Sequence, residues 1–130
     1  MATARKYTLR LTRNGIERIW IDKDTGLLWN SGGLVLPVAS IANADSPYTV
    51  TEGDFTILAD ATDGAVTVAL PAVTGQEGRT LNIKKVDASA NAVTLDGDGS
   101  ETIDGSTTAA ISTENVSLTV QAAASGWYII

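Results

Sequence analysis

The sequence predicts an all-β protein: a small β-sandwich or jelly-roll-like body with an N-terminal β-meander arm. Three observations predict it. Apolar and polar residues alternate with period two over long stretches, the signature of half-buried strands. Thr, Val, Ile and Gly are plentiful while helix signals are weak throughout. Turn-forming pairs such as Asn14-Gly15, Asp63-Gly64, Asp104-Gly105 and Ser125-Gly126 punctuate the alternation.

The arm comes first. Tyr7, Leu9 and Leu11 alternate with Thr8, Arg10 and Thr12, which predicts a strand. Asn14-Gly15 follows, a hairpin signal because both residues tolerate the positive φ of a type I′ turn. Ile16 to Ile21 returns as a second strand. Asp22-Lys23-Asp24-Thr25-Gly26 reads as another turn, leading into Leu27-Leu28-Trp29. Residues 7–30 are thus a three-stranded meander carrying Trp20 and Trp29. Three short strands bury too little surface to stand alone, so this piece needs a partner. Asn30-Ser31-Gly32-Gly33 breaks the pattern. Leu34 to Val38 is apolar but contains Pro37, which suits an edge or extended segment. Ile41 to Pro47 reads as a linker. The expected division is 1–44, arm and linker, and 45–130, body.

Eight strands are expected in the body, near 48–51, 54–60, 65–70, 80–86, 91–96, 108–112, 116–121 and 126–130. The inward set is Phe55, Ile57, Ala59, Val66, Val68, Leu70, Leu81, Ile83, Val93, Leu95, Ala109, Ile111, Val116, Leu118, Val120, Trp127 and Ile129. Short strands at regular spacing argue for a sandwich or barrel. Many of these residues are Val or Ala, so the core is light. Self-association would bury more apolar surface per chain.

Charge is unevenly placed. The whole chain carries −6, yet residues 1–44 sum to +3 and residues 45–130 to −9. A basic docking arm against an acidic partner surface is one reading, and a solvated acidic body with an ordinary basic hairpin is the other. Histidine and cysteine are absent. That removes the commonest general base near neutral pH, thiolate chemistry and any Ser-His-Asp arrangement. Catalysis would have to rest on carboxylates, as in glycosidases. No enzyme activity, cofactor or metal is expected. No apolar run is long enough to span a bilayer, and the N-terminus lacks the apolar core of a secretion signal.

The second part of the chain resembles a known module. The features are Thr67-Val68-Ala69-Leu70-Pro71, Leu81-Asn82-Ile83-Lys84-Lys85, Val93-Thr94-Leu95-Asp96, Gly99-Ser100-Glu101-Thr102-Ile103-Asp104-Gly105 and Gly126-Trp127-Tyr128-Ile129-Ile130. Together they resemble a β-module of tailed-phage virion structural proteins, found in capsid decoration proteins, head fibres and the ends of tail fibres. The resemblance covers roughly residues 48–130. It implies a homotrimeric β-sandwich on the outer surface of a virion, with no shared catalytic residues. Residues 1–44 lie outside it and would determine what the module attaches to. A short chain suits a decoration (cement) protein on the major capsid protein. The alternative is a tail-fibre or receptor-binding tip subunit that adsorbs to host surface glycans.

The residues expected to dock are Arg5, Lys6, Tyr7, Arg10, Arg13, Arg18, Trp20 and Trp29. Aromatic and basic residues together could also bind single-stranded nucleic acid. The overall acidic charge favours a protein partner, so neither nucleic acid nor a membrane is expected. Asp96-Gly97-Asp98-Gly99-Ser100-Glu101 looks like the start of a calcium loop. Its twelfth position is Thr107 rather than Glu, and no helix flanks it, so a structural turn is expected. Glu101 and Asp104 could serve a glycosidase, but acidic turn residues are commonly just solvated. No Gly-rich phosphate cradle occurs. Of Trp127 and Tyr128, one should face inward by alternation, which makes a core Trp more natural than a sugar platform.

Overall fold

Residues 7–13, 16–22, 28–30 and 35–130 are described in the computed structural model, with backbone pairing only before residue 31. The chain divides into two compact units, Met1–Val35 and Leu36–Ile130. In the first, β1 (Tyr7–Arg13), β2 (Ile16–Asp22) and β3 (Leu28–Asn30) form an antiparallel sheet in the order β1-β2-β3. The Asn14-Gly15 turn and the turn at 23–26 fall outside the described residues.

The second unit contains β4 (Val38–Ala42), a 3-10 turn (Asn43–Asp45), β5 (Tyr48–Thr49), β6 (Thr56–Asp60), β7 (Val66–Ala69) and β8 (Thr80–Lys85). It continues with β9 (Val93–Asp96), β10 (Thr108–Ile111), β11 (Ser117–Ala123) and β12 (Gly126–Ile129). These build a five-stranded sheet, β12-β11-β8-β6-β4, and a four-stranded sheet, β10-β9-β7-β5. From β4 to β9 the chain alternates between the sheets, laying one strand in each per turn. Hence β4, β6 and β8 run parallel, as do β5, β7 and β9. Parallel neighbours need a crossover, and here each crossover passes through the opposite sheet. The last three strands return antiparallel.

Alternation decides what is buried. Ile57 and Ala59 of β6, Leu81 and Ile83 of β8, Val66 and Val68 of β7, and Val93 and Leu95 of β9 are fully buried in one cluster. Thr67, Thr94, Thr56 and Asn82, at the intervening positions, are only half-buried. Each large aliphatic side chain removed from water contributes on the order of 1.5–3 kcal/mol. The largest fully buried side chain is Trp127, whose Nε1 donates to the Pro71 carbonyl at 3.2 Å. The indole therefore keeps its polar atom satisfied inside the core.

All eight body strands expected from the sequence form, and the protein is all-β. The boundary differs. Val38–Ala42, assigned to the arm and its linker, pairs with β6 and buries Ile41, so the compact unit begins at Leu36 rather than at residue 45. Pro37 permits this because it precedes the strand and only its carbonyl is needed, accepting from Thr56 N–H at 3.1 Å. Three expected core residues are not in the core. Phe55 precedes β6 and is half-buried. Val116 sits in the turn before β11 and is 44% exposed, while Ile129, on the outermost strand, is 39% exposed. Ile41, Val50, Ala61, Val73, Ile103 and Ala122 complete the core instead, four of them from segments between strands.

Candidate docking surfaces

Six of the eight expected docking residues occupy one sheet. Tyr7, Arg10 and Arg13 lie on β1, Arg18 and Trp20 on β2, and Trp29 on β3. Arg5 and Lys6 fall outside the described residues. Register places Arg10 opposite Trp20 and Trp20 opposite Trp29, one transverse row across all three strands. Tyr7 is opposite Asp22 and Arg13 opposite Ile16. Arg18 falls at a break in register, between Ile19 paired with Leu11 and Glu17 paired with Thr12. Such breaks locally increase twist and re-aim residues.

The acidic positions of the body are tied into structure. Both Glu101 carboxylate oxygens accept from the Val73 N–H, at 3.0 and 3.2 Å. Asp104 Oδ1 accepts from the Ile129 N–H at 3.2 Å. These bonds supply a structural role for the pair weighed above as carbohydrate-cleaving carboxylates. Among the described residues, no group of three or more Asp or Glu side chains is placed to hold a metal ion, and no cavity is found. No described helix is long and apolar enough to cross a membrane.

One charged cluster is buried. Lys85 lies on the inner face of β8, and its Nζ meets Asp87 Oδ1 at 2.6 Å. Asp87 Oδ2 accepts from Ala61 N–H at 2.7 Å, and Ser89 donates to Asp87 Oδ1 through N–H and hydroxyl. Ser89 Oγ also lies 3.0 Å from the Ala61 carbonyl, to which Asn91 Nδ2 donates at 2.9 Å. Burial opposes ionisation of Asp87. The hydrogen bonds from Lys85, Ser89 and Ala61 outweigh it and hold the carboxyl well below its ordinary range. The cluster joins the turn after β6 to the turn after β8, so it locks two successive turns of the coil. The sequence reading missed it. The signal was Lys85 at an inward position of the Leu81-Ile83-Lys85 alternation, with Asp87 two residues on.

What remains for recognition is surface, and the sheet edges differ most. At β12, Trp127 N–H donates to the Thr102 carbonyl at 2.8 Å, and Asp104 N–H donates to the Trp127 carbonyl at 3.0 Å. With the Asp104–Ile129 bond, the 102–104 segment occupies both outward groups of Trp127 and the outward N–H of Ile129. Two glycines allow this approach. A Cβ on Gly126 would sit 2.7 Å from the Thr102 carbonyl oxygen, and one on Gly97 would sit 2.3 Å from that of Glu101. At β5 the edge is two residues long, and Arg79 donates to the Thr51 and Asp54 carbonyls just beyond it. At β4 no described residue covers the edge. Val35 is 89% exposed, Val38 is 62% exposed, and Leu36 is exposed with them. Tyr128 is exposed on β12, its hydroxyl 3.0 Å from Ser125 Oγ, while its neighbour Trp127 is buried as alternation requires.

No protein-family model matches the chain, and no curated protein matches it.

Proposed function

We propose that this chain is a non-enzymatic capsid decoration protein of a tailed phage. In this reading the basic N-terminal sheet grips the outer surface of the major capsid protein. The acidic body stands away from the shell and associates with copies of itself. The observation that carries the reading is the division of charge between two separate β units. Residues 1–35 hold six basic and three acidic side chains, and residues 36–130 hold three basic and twelve acidic. Opposite fields on two units suit a molecule that faces two environments. The transverse row of Arg10, Trp20 and Trp29 supports the same side for docking, because Trp and Arg are enriched among residues that dominate interface energetics. The module resemblance of residues 48–130 supports a virion location.

The test is attachment of purified protein to tailed-phage capsids. Replacing Arg10, Arg13 and Arg18 together by Glu is expected to abolish attachment with the β circular-dichroism signal intact. Attachment at wild-type level by that variant contradicts the assignment of the docking side. Exposed Tyr128 beside the polar outer positions Gln121 and Thr80 favours a second reading, a tail tip that adsorbs to host glycans. Under it, the protein binds host cells and Tyr128→Ala loses that binding.

A further inference from the structure

We propose that β4 is the strand through which two copies of this chain pair, edge to edge and antiparallel about a twofold axis. The argument begins with the β4–β6 ladder. Thr56 N–H donates to the Pro37 carbonyl, and the strands are parallel with Val38 beside Thr56. In a parallel ladder alternate residues bond to one neighbour. Pro37, Ala39 and Ile41 therefore turn their backbone groups to β6, while Val38 and Ser40 turn theirs outward. The outward N–H of Ala42 is already taken by Asp45 Oδ2 at 2.9 Å. Among the described residues nothing takes the N–H or carbonyl groups of Val38 and Ser40. A second β4 strand set antiparallel would satisfy both groups of Ser40 and the N–H of Val38, and would cover exposed Val38.

The charge pattern selects a second copy as that strand. No residue from Asn30 to Ala44 is charged, so two β4 strands meet without opposed like charges. Exposed edges usually carry Lys or other charges that discourage such a meeting. At one end Asp45 and Asp60 follow β4 and β6, while at the other lie the apolar Val35, Leu36 and Val38, with Asp54, which precedes β6, facing the charge of Arg79. Antiparallel pairing with Ser40 opposite Ser40 sends the two acidic ends to opposite extremes. It sets Val38 of each copy against Ala42 of the second copy. A parallel arrangement would stack the acidic ends together.

The remaining edges explain why the assembly closes at two. The guard over β12 denies the far edge of the same sheet to a neighbour, so copies cannot add head to tail into a fibre. β10, outermost in the four-stranded sheet, is four residues long and none of the large exposed apolar side chains lies on it. The −9 body repels its twin at long range, so pairing tightens as salt rises.

This inference stands apart from the decoration reading: solution mass decides it, and capsid attachment decides the other. Full-length protein is measured by size-exclusion chromatography with light scattering over a wide concentration range at low and high salt. The expected mass is that of two chains at high concentration, with the dissociation constant falling as salt rises. Val38→Lys and Ser40→Pro change outward groups that β6 does not use. Each is expected to weaken pairing by about tenfold or more. Tyr128→Lys, on the guarded edge, is expected to leave it unchanged. A single-chain mass at the highest concentration, or a three-chain mass, overturns the inference. So does undiminished pairing of Val38→Lys, which alters an exposed position and so decides the matter even if Ser40→Pro does not fold.

Discussion

At β12 the outward N–H groups of Trp127 and Ile129 are each met by the 102–104 segment, whereas at β4 those of Val38 and Ser40 meet nothing among the described residues. Both strands are outermost in the same sheet, and β12, with Trp, Tyr and Ile, carries the larger side chains while β4, Val-Ala-Ser-Ile-Ala, is also mostly apolar. Apolarity of a strand thus does not decide whether its edge is free. A loop far along the chain decides it, and here that loop needs Gly97 and Gly126 to approach closely enough. A parallel coil has two ends by construction. This one locks its later turns with a buried ion pair, whereas neutral contacts such as the Asn43–Ala65 and Thr67–Ser46 hydrogen bonds join its first turn to the next alongside the strand ladders.

The largest expected effect comes from the ionic lock between later turns. Lys85→Met strands the Asp87 carboxylate, and we expect a loss of about 3 kcal/mol in chemical denaturation. Combining it with Asp87→Ala should recover part of that loss, because the uncompensated charge goes with it. Gly97→Val attacks the guard. Its Cβ would lie 2.3 Å from a backbone oxygen that cannot swing away, so a loss of about 2–3 kcal/mol is expected. If the comparison of edges is right, this variant also gains a tendency to associate through β12, visible as larger species in light scattering.

Acid sharpens the same contrast. The folded-state pKa of Asp87 is depressed below its ordinary 3.8, so its contribution is complete above that value and fades as pH falls through it toward the depressed one. Melting temperature should hold from neutrality to about pH 5 and then drop, less steeply in Lys85→Met. Part of the slope survives in that variant. Asp54 is also held low: burial opposes its ionisation, but hydrogen bonds from Thr51 and Tyr48 prevail. The smallest effect is expected at Asp104→Ala. Losing one hydrogen bond to an exposed carboxylate costs about 1 kcal/mol in stability. Amide exchange at Ile129 should nevertheless accelerate more than at Gln121, which lies inside the sheet.

How much of this was legible in the sequence follows from which interactions are local. Period-two alternation is a property of consecutive residues, and it located the eight strands from β5 to β12 as well as the inward Trp127. Partners are not local. Nothing in Val38-Ala39-Ser40-Ile41-Ala42 distinguishes a linker from a strand until β6 lies beside it, although Pro37 suited the edge position that β4 takes. The parallel order of β4, β6 and β8 was likewise hidden, because alternation is the same in parallel and antiparallel strands. The Asp96–Glu101 stretch was read as a turn, and it is one: Glu101 N–H donates to the Asp98 carbonyl at 2.9 Å. Its purpose, bringing Thr102 and Asp104 to β12, depends on contacts some 25 residues along the chain. Lys85 was readable as inward from its parity with Leu81 and Ile83, but a buried lysine makes sense only once Asp87 and Ala61 surround it.

Backbone amide exchange, resolved residue by residue in the full-length protein, tests the contrast between the two edges most directly. Ile129 should exchange slowly at every concentration, held by Asp104, while Ser40 should exchange rapidly in dilute solution and slow sharply as concentration rises. A Ser40 amide equally protected in dilute and concentrated samples, or an Ile129 amide that exchanges as freely as one on a bare edge, would contradict the account.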